Sequence, residues 1–150
     1  MNTTIAHTCI ITIFKFATVS YKFCSENIGM LIELITKDMD PALIIKSLMG
    51  LSDLIKRFPQ VVEPFSQRLF ETLESKHRNV KKVSMIIITH LILNDMLKIK
   101  GEIVDIIMKL ADDDIEIRKF TELFMIQLHK KDPMVVHFNL RSSIIYFLMP

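Results

Sequence analysis

Two cysteines, five histidines and one run of three aspartates are the residues of this 150-residue chain with the types needed for catalytic or metal chemistry. Cys9 and Cys24 lie too far apart for a Cys-x-x-Cys metal or redox motif, and so few thiols fit a reducing compartment. Cys24 with His7 would make a nucleophile and a base only if a third group oriented the base, and no such group is indicated. His7, His77, His90, His129 and His137 include no pair at the i, i+3 or i, i+4 spacing that presents two ligands on one helix face. His90 lies beside an apolar column and reads as a packed helix residue rather than a ligand. Asp112-Asp113-Asp114 has the charge to hold a hard cation, but three acids before an apolar run read first as a solvated turn ending in a helix N-cap. The three glycines, Gly29, Gly50 and Gly101, are isolated, so no phosphate-cradling loop is present. The expectation is a protein without catalytic residues, metal or cofactor.

The basic residues carry more. Lys81-Lys82 and Arg118-Lys119 stand 37 residues apart in sequence, each near the start of an apolar-periodic segment; Lys98 and Lys100 fall in the loop between the segments. Cations in the first turn of a helix oppose the helix dipole at a cost of a few tenths of a kcal/mol. Repeated at one position of two segments, they make a candidate footprint for DNA phosphates or for an acidic stretch of a partner; the alternative is an ordinary solvated face.

These residues need elements to position them. Half of the residues are hydrophobic and about a quarter are charged, which suits a packed core. Three Gly and five Pro are too few for the many turns of an all-β fold. A net charge of +2 does not by itself call for nucleic acid or membrane. The apolar stretch Ile5 to Val19 lacks the basic leading region of a signal peptide and is interrupted by Lys15. Neither it nor the run Met85 to Leu93 reaches the ~18–20 apolar residues of a membrane span. A soluble intracellular protein is expected.

The organising feature is a repeat of 37 residues. Leu43, Ser47, Gly50, Leu51 and Leu54 recur as Val80, Ser84, Ile87, Ile88 and Leu91, then as Ile117, Thr121, Phe124, Met125 and Leu128. An earlier copy reads Ala6, Ile10, Ile13, Phe14 and Ala17. Within each copy the spacing i, i+4, i+7, i+8, i+11 is one face of an α-helix. Shorter helices precede three copies, marked by the pairs Leu31/Ile35, Leu69/Leu73 and Ile106/Leu110. Asp40-Pro41 and Asp114 have the residue types of helix starts, while Phe58-Pro59 and Asp132-Pro133 mark helix ends. The sequence therefore predicts an all-α solenoid of about four helical hairpins, forming a single domain over residues 1–150. The period lies between that of tetratricopeptide repeats and the ~40–47 residues of HEAT and armadillo repeats, and the Trp and Thr-Pro-Leu-His marks of other families are absent. A compact HEAT repeat fits best. The ten Met and ten Phe are expected mostly in the core. Apolar residues continue to both ends, in Ile5 to Phe16 and in Ile144 to Leu148, without the polar caps that close a solenoid, so the chain is expected to be a piece of a longer one.

One segment is more specific than the period. Thr89-His90-Leu91-Ile92-Leu93-Asn94-Asp95-Met96-Leu97-Lys98-Ile99-Lys100-Gly101 resembles the signature of condensin subunit 1, the non-SMC HEAT subunit of condensin. Arg57-Phe58-Pro59 with Val62-Glu63-Pro64, and Phe23-Cys24, are similar to neighbouring marks of that family. Phe138-Asn139-Leu140 with Ile144-Ile145 is a weaker likeness that lacks the family's proline. The resemblance covers about residues 9 to 131. It implies a HEAT scaffold that docks on the kleisin and approaches the SMC ATPase heads in a complex that compacts mitotic chromosomes. It further implies a place in the nucleus and on chromosomes (in the cytoplasm for part of the cell cycle), contact with DNA or histones, and no membrane or small-molecule substrate. The competing readings are a generic HEAT or armadillo adaptor for transport or vesicle coats, and a subunit of the second condensin or of cohesin. Within the signature Thr89, His90, Leu91, Asn94, Asp95 and Gly101 read as mainly structural: Leu91 and Ile92 fill the core and Asn94-Asp95 ends the helix.

Overall fold

A computed structural model describes residues 3–36, 39–98, 101–137 and 141 of the chain. The described residues contain helices and no strand. In order they are α1 (Thr3–Val19), α2 (Tyr21–Thr36), α3 (Pro41–Arg57), α4 (Pro59–Val62), α5 (Ser66–Glu71), α6 (Arg78–Leu93), α7 (Ile103–Met108) and α8 (Ile115–Lys131), with 3-10 turns at Glu63–Phe65, Thr72–Glu74 and Lys109–Ala111. The all-α expectation is met. The four periodic copies are α1, α3, α6 and α8. The first intervening helix, α2, is nearly as long as α3. The second is broken into short pieces, because Pro59 and Pro64 each supply no N–H and so begin a new turn instead of continuing one.

The chain divides into two compact units, Met1–Leu97 and Lys98–Pro150. In the first, α1 packs on α3 and α3 on α6, while α2 and α5 with its 3-10 turn fill the gaps beside them. In the second, α8 packs on α7 and on the 3-10 turn that follows it.

Burial follows the 37-residue columns. The first, second and last are buried in all four copies: Ala6, Leu43, Val80 and Ile117; Ile10, Ser47, Ser84 and Thr121; Ala17, Leu54, Leu91 and Leu128. The fourth column is buried at Phe14, Leu51 and Ile88 but only half-buried at Met125, where Phe124 of the third column turns inward instead. The third column varies in size for a visible reason. A Cβ on Gly50 would fall inside the ring of Phe14, so the backbone of α3 runs directly against that ring.

The hydroxyl column is not bland. Ser47, Ser84 and Thr121 are wholly buried, and each donates to the carbonyl four residues earlier, at 2.9, 2.8 and 2.8 Å. Ser84 also meets Thr72 across the hairpin at 2.7 Å, with Thr72 Oγ1 2.6 Å from the Leu69 carbonyl. Two protons serve these three short distances, and Thr72 keeps an acceptor in Leu69 whichever way they lie.

Two core expectations need correction. Leu110 is exposed: Ile103, Ile106 and Ile107 already fill the inward face of α7, and the 3-10 turn directs Lys109 inward instead. The described methionines are mostly not core. Met85 is buried, but Met30, Met49, Met96, Met108 and Met134 are exposed, because β-branched and Leu side chains occupy the columns. Phe14, Phe70 and Phe124 are buried, whereas Phe16 is exposed and meets Phe23 in a tilted ring contact at 5.9 Å.

Leu91→Ala is expected to cost about 2–5 kcal/mol, because it empties a fully buried column position. Ser84→Ala is expected to cost about 1 kcal/mol, the net worth of one hydrogen bond whose partner keeps another acceptor. Urea unfolding of the two variants checks the order; equal losses would contradict the register.

Candidate functional site: the helix stop and the basic residues

The signature segment is the end of α6 and the turn beyond it. Thr89 is buried and donates to the Met85 carbonyl at 2.7 Å, so its hydroxyl is satisfied within the helix. Leu91 is wholly buried and Ile92 nearly so. Asn94 is the C-cap; its side-chain amide donates to the His90 carbonyl at 2.7 Å and lies 3.2 Å from His90 Nδ1. Asp95 follows with φ of 57°, in the left-handed region. The Met96 N–H then donates to the Leu91 carbonyl at 2.9 Å and the Asp95 N–H to the Ile92 carbonyl at 3.1 Å. These two bonds are the Schellman pattern, which satisfies carbonyls that the end of a helix leaves open. Leu97 then tucks its side chain inward.

The chemistry of a helix stop thus accounts for most of the segment's residues. His90 is corrected: it is exposed, not packed, because it lies outside the apolar stripe of α6, and its ring serves Asn94. Gly101 is exposed, a Cβ there would meet nothing within 4 Å, and its φ is not positive, so the local fold does not require glycine.

The other chemical candidates resolve into structure. Asp114 caps α8, accepting from the Glu116 N–H at 2.9 Å, and Asp112 accepts from the Asp114 N–H at 3.0 Å. Among the described residues no group of His, Cys, Asp or Glu could hold a metal ion. Asp40 stands at the N-cap of α3 but makes no side-chain cap bond. Its carboxylate faces His7 Nε2 at 3.5 Å, while Lys46 Nζ donates to His7 Nδ1 at 2.6 Å. These contacts tie α1 to the start of α3, although Nε2 itself is buried without a hydrogen bond. Nothing in the sequence signals this cluster, because its three residues come from two repeats. Cys24 is buried, and burial pushes its thiol pKa up, while His7 is engaged with Lys46 and Asp40. A cavity of about 390 Å³ lies beside the start of α6, walled by Ile35, Ile44 and Val80 and rimmed by Arg68 and Glu71, which pair at 3.1 Å. Among the described residues no helix is long and apolar enough to cross a membrane.

Of the basic candidates, Lys81 is half-buried and Lys82 exposed in the first unit; Lys98 and Lys119 are exposed in the second. Lys100, like Phe138 to Leu140 and Ile144-Ile145, lies outside the described residues. Arg118 has a local task. Its guanidinium donates to the carbonyls of Asp112 at 2.7 Å and Asp113 at 3.1 Å, holding the turn before α8.

Helices in a 37-residue register, packed on one another within each unit, define the class of helical-repeat proteins. The family is shown by comparison. The model of the family described as non-SMC mitotic condensation complex subunit 1 matches residues 41–149, and the chain belongs to that family. It is 33% identical over 131 residues to condensin complex subunit 1 of Xenopus laevis, covering 87% of this chain and 10% of the relative. It is 29% identical over 143 residues to condensin-1 complex subunit CAP-D2 of Arabidopsis thaliana, covering 94% and 9%. With condensin complex subunit 1 of Saccharomyces cerevisiae it shares 26% over 125 residues, covering 83% and 11%. The chain thus spans about a tenth of the length of the relatives it matches.

Asp95→Val is expected to destabilise the chain by about 1–2 kcal/mol, since a β-branched residue resists positive φ, while Asp95→Gly and Asp95→Asn cost much less. Thermal melts of the three variants decide it; a harmless valine would mean that the left-handed turn does not stop α6.

Proposed function

We propose that this chain is a non-catalytic HEAT scaffold segment of the condensin complex, acting on chromosomes in mitosis. It docks on the kleisin and the SMC ATPase subunits, and its exposed lysines meet phosphate or acidic groups within the assembly. The family match over residues 41–149 carries this reading. The local structure supports it: the signature is used to stop a helix cleanly at the end of the first unit, and His90, Asp112 and Asp114 are engaged in a cap and a turn.

A scaffold needs faces. Lys82 and Lys119, each the fifth residue of its helix, stay exposed, as does Lys98 in the loop that precedes α7, with Lys81 partly so. Arg118 is set apart from this group, because reversing it would release the turn before α8.

Tagged protein carrying this segment is expected to co-purify the SMC ATPases and the kleisin. Reversing Lys81, Lys82 and Lys119 together is expected to weaken low-salt association with the complex or with DNA, lowering the salt slope by about one for each phosphate no longer neutralised. Failure to co-purify either partner would overturn the scaffold reading. Unchanged association of the triple variant would reduce these lysines to a solvated face.

A further inference from the structure

Four aromatic rings gather at one corner of the first unit, where α1 ends, α2 begins and α3 ends. Ser20 alone separates α1 from α2; its N–H donates to the Phe16 carbonyl at 3.1 Å, and its own carbonyl accepts from the Cys24 N–H at 2.9 Å. Across this tight turn Phe16 and Phe23 meet at 5.9 Å between ring centroids. Tyr21 meets Phe58 edge-on at 5.5 Å, and the Arg57 guanidinium lies 5.6 Å from the centre of the Phe58 ring. Packing does not hide the cluster: Phe16 is 65% exposed and Tyr21 is 52% exposed. A single exposed apolar residue needs no explanation; a cluster of rings that keeps two of its members in solvent does. The charges around the rings leave cations to spare. Lys22 pairs with Glu26 at 3.9 Å and Lys56 with Asp53 at 3.6 Å. Lys15, next to Phe16 in sequence, and Arg57, next to Phe58, are exposed, and among the described residues neither makes an ion pair.

We propose that this corner binds single-stranded nucleic acid, with unpaired bases stacking on the exposed rings of Phe16 and Tyr21 and the strand's phosphates meeting Lys15 and Arg57. The inference goes beyond the scaffold reading and uses none of the lysines of α6 and α8. Rings and cations together select the occupant. Every base has a π-face, so stacking on an exposed aromatic ring is tolerant of sequence, and phosphates between the bases supply the charge that the cations lack. A duplex presents the same phosphates but keeps its base faces stacked inside, and so offers the rings nothing. An acidic peptide offers charge without a planar base for each ring. A second copy of this chain, docked at the corner by two-fold symmetry, would bring Lys15 and Arg57 toward their own counterparts.

The probes are fluorescein-labelled oligothymidylate and oligouridylate, each about twelve nucleotides long to fill one site. A labelled DNA duplex of equal length serves as the comparison, and all three are titrated with the whole chain by anisotropy at low salt. One strand or both should bind at least about tenfold more tightly than the duplex, and which of them does so tells whether DNA or RNA is the source. Phe16→Leu and Tyr21→Leu should each weaken strand binding about tenfold, because they keep apolar bulk and remove the ring face, whereas Phe16→Trp should keep it. Lys15→Gln and Arg57→Gln should each lower the salt slope by about 0.7, the share of one phosphate in a single strand. Phe16 is mostly exposed, so thermal melts of Phe16→Leu should match those of the parent, and recovery of binding in Phe16→Trp separates stacking from folding. The proposal is overturned if neither strand binds, if the duplex binds as tightly as the strands, or if Phe16→Leu and Tyr21→Leu bind as the parent does. It is equally overturned if sedimentation shows a dimer through this corner that Phe16→Leu dissolves. The outcome is separate from the scaffold reading: loss of SMC co-purification with Phe16-dependent strand binding intact would sink that reading and leave this one standing.

Discussion

The packing of each periodic helix on the next is the constraint on which the first unit depends. A single hairpin cannot bury the columns it carries. α3 buries Leu48, Leu51 and Leu54 completely only because α1 and α6 pack on it and α2 lies beside it. The tightest point is the ring of Phe14 against the backbone of Gly50. There the repeat exchanges a side chain for closeness, and it does so in the column where the other copies hold Ile13, Ile87 and Phe124. Glycine inside a helix costs about 0.5–1 kcal/mol relative to alanine, and the close approach is what offsets that cost. Polar groups are subject to the same closeness. Ser47 and Ser84 fit a wholly buried column because each hydroxyl turns back to its own helix, and Ser84 meets Thr72 as well.

Stacking of this kind requires helices that stop on time. α6 stops through Asn94 and Asp95, and the first unit ends two residues later, at Leu97. The stretch that carries the family resemblance is in good part the apparatus of termination, as its Asn94-Asp95 suggested. Its buried members, Thr89, Leu91 and Ile92, belong to the core, and its exposed polar members, His90 and Asn94, hold each other. The helix stop makes no use of Gly101, which is exposed and has room for a Cβ.

The columns were legible because they repeat. A period of 37 residues with helical spacing names the buried face without any knowledge of neighbours, and twelve positions of three columns are buried as that pattern requires. Single positions judged by residue type alone fared worse. Asp40 has the type and place of an N-cap, yet its carboxylate turns to His7, a residue one repeat away. Arg118 reads as a surface charge, yet two carbonyls of the acidic turn hold it. The methionines read as core filler, yet most of the described ones face solvent, because side-chain type sets no direction where a helix presents several faces. Met49, Ile86 and Leu123 are exposed and share the same offset as the buried columns. The period that identifies the core also marks what each copy holds out to solvent.

A double-mutant cycle at Phe14 and Gly50, followed by urea unfolding, tests the stacking of the helices most directly, since the cycle isolates the coupling between the two residues. Gly50→Ala alone should destabilise the chain by about 1–3 kcal/mol through overpacking against the ring. In the Phe14→Leu background the same change should be neutral, or stabilising by up to about 1 kcal/mol, because only the gain in helix propensity remains. A Gly50→Ala variant that is stabilised to the same extent in both backgrounds would contradict it: the ring and the glycine would then not touch, and the first unit would not be held together by helix upon helix in sequence order.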